Sequence, residues 1–148
     1  MSTNSPSTSL TSNGVARDKL LMAGAASVAA AVVANLVAFF IARAVFDLPA
    51  NFPPLSVGAI SFFTILGTGL GALVFAWLSR RSATPFRTYR LVAVIALVLS
   101  ILPNFMAAAN PAMFPFPGGT ATAFLVLVLF HIIAAVVSVV VLLRMARA

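Results

Sequence analysis

The sequence predicts an all-α fold, a transmembrane four-helix bundle with short loops, on three observations. First, 62% of its 148 residues are hydrophobic and only 7% are charged, against roughly 45–50% and about 25% in soluble domains. So few charges cannot cover the water-facing surface of a chain this size. Second, four apolar runs are each long enough to cross a hydrocarbon core about 30 Å thick. Third, these runs are apolar on all sides, unlike barrel strands, which alternate over about ten residues.

The first 14 residues, MSTNSPSTSLTSNG, hold eight Ser or Thr and no charge. With so little to bury, residues 1–17 are expected to form a disordered tail, leaving 18–148 as the membrane domain. The run from Leu20 to Ile41 has 22 residues, of which only Ser27 and Asn35 are polar. It exceeds the apolar core of a signal peptide, about 7–15 residues, so a retained span is expected over about 18–45. FDLPANFPPLS (46–56) carries Pro49, Pro53 and Pro54, which break a helix and disfavour helical residues before them. A second span follows at 57–78. RRSATPFRTYR (80–90) is a short charged turn. The third span, 88–109, contains Pro103, where a kink is expected and where the Ser100 hydroxyl is near the freed carbonyl. NPAMFPFPGG (110–119) is an uncharged loop, and the fourth span covers 120–143.

Counting Lys and Arg orients the spans. Arg17, Lys19, Arg80, Arg81, Arg87, Arg90, Arg144 and Arg147 fall on one side and Arg43 alone on the other. The positive-inside rule then places both termini in the cytoplasm. Arg80, Arg81, Arg87, Arg90, Arg144 and Arg147 serve as its anchors. The excess of Arg over the single Lys19, with abundant Ala and Val, points to a bacterial inner membrane. Arg43 precedes Asp47 by four residues, a spacing that suits a local pair at the outer interface; an inward-turned anion contact is the alternative. The net charge of +7 would suit nucleic acid in a soluble protein. Here the charges cap apolar segments instead of interleaving with aromatics, so no nucleic-acid partner is expected. The chain has no cysteine, which removes disulfides and thiolate chemistry.

Membrane helices associate through small residues and polar contacts, because lipid tails are as apolar as leucine. Each span carries such residues at helical spacing: Gly24, Ser27, Ala31, Ala34, Asn35, Ala38 and Ala42 in the first, Gly58, Ser61, Thr64, Thr68 and Gly71 in the second, Ala93, Ala96, Ser100, Asn104 and Ala107 in the third, and His131, Ala134, Ala135 and Ser138 in the fourth. GTGLG (67–71) resembles a phosphate loop, but its glycines lie mid-span with no strand before them. Gly67 and Gly71 therefore read as a GxxxG packing motif, within one chain or between two.

His131 is the only histidine, set inside FLVLVLFHIIAAVVSVVVLL (124–143). Asn35, Thr64, Asn104 and His131 all lie 12–15 residues from the inner ends of their spans, a depth of roughly 18–22 Å at about 1.5 Å per residue. This intramembrane polar layer, with Ser100, has two readings. One is a hydrogen-bonded layer that fixes helix register. The other is a binding site or proton path, since ionisable residues within spans are functional by default. No Asp, Glu or Lys accompanies His131 at this depth, and one His with Asn and Thr is too poor a set for a metal. No metal or cofactor is expected. His131 is expected to point into the bundle, within hydrogen-bond reach of Asn35, Thr64, Ser100 or Asn104.

Asn35, the Pro53–Pro54 loop, Gly67, Gly69 and Gly71, the Arg-rich inner turn, LSILPN (99–104) and His131 together resemble a family of uncharacterised bacterial four-helix membrane proteins, a domain of unknown function. The resemblance covers about residues 18–145. It implies the topology and carries no activity.

The functional expectation is a non-enzymatic structural, accessory or regulatory bundle. Its partners are the lipid bilayer and either a second copy of the chain or another membrane protein. The alternative is a small transporter or channel subunit with the polar layer as its selectivity element. A lipid-acting enzyme with His131 as base lacks a partner group for that base.

Overall fold

The structure, a computed structural model, describes residues 14–114 and 116–147. Residues 1–13, most of the expected tail, lie outside the described residues. Four helices follow in order: α1 (Leu20–Val45), α2 (Val57–Arg81), α3 (Pro85–Ala109) and α4 (Ala121–Met145). All four are long and apolar enough to cross a membrane, and no strand is present among the described residues.

Local chemistry sets the helix ends. Ser56 and Thr120 cap α2 and α4, their hydroxyls accepting from the backbone N–H of Ala59 and Ala123, each at 3.2 Å. Such caps satisfy donors that a helix start leaves free. Pro85 opens α3 at a position where its missing N–H costs nothing. α1 stops at Val45, shortly before Pro49, and α3 stops at Ala109, before Asn110–Pro111. Pro103 is accommodated inside a continuous α3. The nearby side chains bond neighbouring carbonyls: Ser100 Oγ donates to Leu97 O at 2.8 Å and Asn104 Nδ2 to Ser100 O at 3.2 Å. The hydroxyl therefore does not serve the Leu99 carbonyl, the one Pro103 frees.

α4 packs along α1 and α3, and α2 packs along α1. The buried face of α1 is Ala23, Ser27, Ala31, Asn35, Phe39 and Ala42, a stripe at steps of four and three that stays on one side of a helix. α2 and α3 meet near their connecting turn, where Phe75 contacts Phe86 and Tyr89 at ring-centroid distances of 5.5 and 5.1 Å. α3 is the least enclosed helix, burying only Pro85, Tyr89 and Ala107. Large apolar side chains cover the outside, among them Leu21, Phe63 and Leu73. Lipid, unlike water, solvates such a surface without cost.

Two apolar clusters close the ends. One joins Phe39, Phe52, Leu55, Ala123, Phe124 and Phe130 at the end bearing the two long loops. There Phe52 stacks edge-on to Phe124 at 5.2 Å, so these loops cap the bundle. The other joins Val15, Phe75, Leu78, Tyr89, Leu142 and Ala146 at the end bearing both termini. Val15 and Ala16, assigned to the tail on composition, are buried here. Ala16 N–H donates to Ala146 O at 3.0 Å, and Val15 bridges Arg147. The tail boundary at residue 17 is therefore too late. Pairing with the C-terminal backbone orders a segment whose composition shows no such preference.

Candidate functional site

α2 and α3 diverge from their shared turn and leave a crevice of ≈590 Å³ between them, floored by α1 and α4. This lies within the usual range for small-molecule sites, about 300–1,000 Å³. Its walls are apolar, and Phe63, Leu66, Leu70 and Val92 along its rim are exposed on the outer face of the bundle. The crevice thus opens sideways, where the bilayer would be. Four residues of the expected polar layer border it: Asn35, Thr64, Ser100 and His131. Asn35 is the single α1 residue to reach it.

Asn35 and Thr64 form the one interhelical side-chain bond of this group. Asn35 Nδ2 donates to Thr64 Oγ1 at 2.9 Å, and both residues are buried. Asn35 Oδ1 is buried with no hydrogen-bond partner. Thr68 turns its hydroxyl back to Thr64 O at 2.6 Å. His131 is half-buried, and the interhelical contact expected of it is not made. Its Nδ1 lies 2.7 Å from Leu127 O in its own helix. The ring takes this local acceptor because the crevice separates it from α2 and α3. A carbonyl oxygen only accepts, so Nδ1 carries a proton, and in the neutral ring Nε2 keeps a lone pair. Asn104 does not line the crevice. It bonds within α3, one turn beyond Ser100.

Replacing Asn35 with Leu and Thr64 with Val separately and together should give a coupling of about 0.6–2 kcal/mol, the range for interhelical bonds in membranes. Thr64→Val alone should cost more than the pair warrants, because it strands a buried amide. Equilibrium unfolding in mixed micelles measures both. A coupling near zero would remove the bond from the account of α1–α2 register.

Within the chain the two glycines of the GxxxG motif differ. A Cβ built on Gly67 meets nothing within 4 Å, and one on Gly71 meets the Tyr89 hydroxyl at 3.0 Å. Gly67 therefore makes no close helix contact within the chain. Both residues widen the crevice wall. Tyr89, at the end of the crevice nearer the termini, is not among the residues that the sequence singled out. The sequence carries a signal for it, since Tyr89, Ala93, Ala96 and Ser100 share one face of α3.

A family model matches residues 15–148. The chain belongs to DUF6069, a family of unknown function. No curated protein and no solved structure matches it. In this DUF6069 chain the charged residues stand apart from the crevice. Arg17, Lys19, Arg80, Arg81, Arg87, Arg90, Arg144 and Arg147 are all exposed at the end that bears the termini. Arg147 lies over the Phe86 ring at 5.7 Å from its centroid. At the loop end Arg43 is exposed over Phe39, also at 5.7 Å. It makes a cation–π contact on its own helix in place of the expected pair with Asp47, because α1 has ended before that residue. Among the described residues of the DUF6069 chain, no three His, Cys, Asp or Glu side chains converge as metal ligands.

Proposed function

We propose that this DUF6069 chain is a non-catalytic, multi-pass protein of the bacterial cytoplasmic membrane, with both termini in the cytoplasm. It acts as an accessory or regulatory bundle by holding an apolar molecule from the bilayer between α2 and α3. The crevice carries this reading: it is enclosed at both ends by aromatic clusters, apolar on its walls and open toward lipid. Its lining offers amide, hydroxyl and one imidazole, without the carboxylate or second base that acid–base chemistry would use. The same clusters oppose a continuous aqueous path through one bundle, so the transport alternative would require them to part.

The orientation rests on the eight cations at one end. Because the chain lacks cysteine, single-cysteine labelling has no background. Ala112→Cys, in the uncharged loop, should react with a membrane-impermeant maleimide in intact cells. Ala83→Cys, in the Arg-rich turn, should react only after the membrane is opened. The reverse pattern would overturn the topology. For the crevice itself, a diazirine-bearing hexadecane in proteoliposomes should label α2 and α3 residues on its walls. Gly67→Leu, whose added side chain projects into free space, should cut that labelling at least fivefold. Labelling spread evenly over the outer surface and unaffected by Gly67→Leu would sink the binding role.

A further inference from the structure

The crevice is not uniformly apolar, and its lining carries both hydrogen-bond acceptors and hydroxyl groups. Asn35 is 2% exposed, its Nδ2 is committed to Thr64, and its Oδ1 has no partner. His131 commits Nδ1–H to Leu127 O, leaving Nε2 as an acceptor. The hydroxyl protons of Thr68, Ser100 and Ser138 are directed to carbonyls of their own helices. Among the lining residues the acceptors are the buried Asn35 amide oxygen on α1 and, in the neutral ring, the His131 imidazole nitrogen on α4, and the donors are the hydroxyls of Thr64 and Tyr89. A buried acceptor without a donor is costly in hydrocarbon, and such a group marks where a donor belongs.

We infer that the crevice takes a neutral membrane lipid whose polar end is a free hydroxyl, a long-chain alcohol in its simplest form, with that O–H donating to Asn35 Oδ1 or His131 Nε2. The inference rests on the crevice-binding role proposed above and specifies the head group. Depth selects neutrality. The acceptors lie in the middle of the spans, and a phosphate or ammonium drawn there would lose its hydration. No carboxylate lines the crevice to hold an ammonium. A hydroxyl, by contrast, both donates and accepts, and its small size suits burial. The volume fits a single chain. At ~30 Å³ for a water-sized group, ≈590 Å³ holds on the order of twenty such groups, the size of a sixteen- to eighteen-carbon alcohol. Tyr89 and the rings packed on it stop the crevice at its inner end, so the chain would leave sideways between α2 and α3, into the leaflet from which it came.

The test uses the full-length protein in phosphatidylethanolamine–phosphatidylglycerol vesicles, with a diazirine-bearing hexadecanol as photoprobe. Unlabelled hexadecanol should compete at least tenfold better than hexadecyl methyl ether, which keeps the chain and oxygen but lacks the proton. His131→Leu and Asn35→Leu should each reduce that preference toward unity while leaving competition by the ether unchanged. Should Asn35→Leu fail to fold, His131→Leu carries the test, since the histidine makes only a bond within its own helix. Equal competition by alcohol and ether in the unmodified protein would overturn the head-group assignment while leaving the crevice role intact. Stronger competition by hexadecylamine would also overturn it, by marking a cation site. If the hexadecanol probe labels no crevice residue and Gly67→Leu changes nothing, the binding role fails with it.

Discussion

Phe75→Ala is expected to lose about 3 kcal/mol of stability in equilibrium unfolding, toward the lower end of the range for deleting a buried Phe. Phe75 is fully buried and is the ring against which both Phe86 and Tyr89 pack. In a soluble protein much of the cost would come from hydrophobic transfer. Between membrane helices that part shrinks, because the separated helices are already in an apolar solvent. What remains is the dispersion energy of the lost ring contacts and the cavity left behind. Near the turn the ring also holds α2 to α3 at the place where the two helices meet, and the segment around Val15 packs into the same cluster. The substitution should therefore loosen the chain termini as well, seen as faster amide exchange at Ala16 and Ala146, whose backbones are hydrogen-bonded. Phe62→Ala makes the contrast. Phe62 is 60% exposed and its loss should cost under about 1 kcal/mol. A loss for Phe75→Ala no larger than that for Phe62→Ala would show that this cluster does not hold the end of the bundle together.

The four spans were legible because hydrophobic length and proline placement act locally; the ends beside the Arg-rich turn were less so, since α2 runs on to Arg81 and α3 already begins at Pro85. The packed face of α1 was legible for a related reason. Of the small and polar residues that stand out at helical spacing against Val, Leu and Phe, Ser27, Ala31, Asn35 and Ala42 are buried, while Gly24, Ala34 and Ala38 at the edges of the stripe are half-buried. α4 offered a shorter stripe, His131, Ala134, Ala135 and Ser138, of which only Ser138 is buried. It packs against both α1 and α3 and buries Phe124, Val126, Val128 and Phe130 as well as Ser138. A lipid-facing and a helix-facing valine read alike, since both environments are apolar. The short turn expected at 80–90, which the structure confines to 82–84, implied that α2 and α3 are neighbours, but not that they diverge beyond it. Divergence depends on side chains near the turn, chiefly Phe75 and Tyr89, acting over distance. The candidate site follows the same division. Depth along each helix placed Asn35, Thr64, Asn104 and His131 at one level; three of them border the crevice together with Ser100, and Asn104 does not. Depth says nothing of what each atom bonds. His131 turned to its own i−4 carbonyl, an acceptor every helix supplies, and Asn104 bonded inside α3. Gly67 and Gly71 show the limit most clearly: the same small residues permit close approach or leave space, and spacing alone does not distinguish them.

Gly118→Val is expected to cost about 3 kcal/mol, while Gly67→Ala, in the interior of α2, should gain about 0.5–1 kcal/mol. The two glycines differ in what the backbone asks of them. Gly118 has φ +71°, a left-handed conformation in which a β-branched residue is an outlier, at about 1–2 kcal/mol for the backbone alone. A Cβ there would also meet the Asn51 amide oxygen and lie 3.1 Å from Pro49 Cβ. Asn51 is exposed and swings aside at little cost, but the proline ring has no such freedom, so the loop 46–56 must shift. That loop carries Phe52, which is 2% exposed and packs against Phe116 and Phe124. The steric part is thus transmitted into the cluster that closes the loop end of the bundle, which adds roughly 1–2 kcal/mol of overpacking. Gly118→Ala separates the two contributions. It carries a smaller backbone penalty and no β-branch, yet places the same Cβ against Pro49, and should cost about 2 kcal/mol. Gly67→Ala meets nothing and removes unfolded-state freedom only. Unfolding in mixed micelles ranks the three. If Gly118→Val proves as harmless as Gly67→Ala, the two loops do not lock against each other, and Phe52 is buried by its own helix neighbours alone.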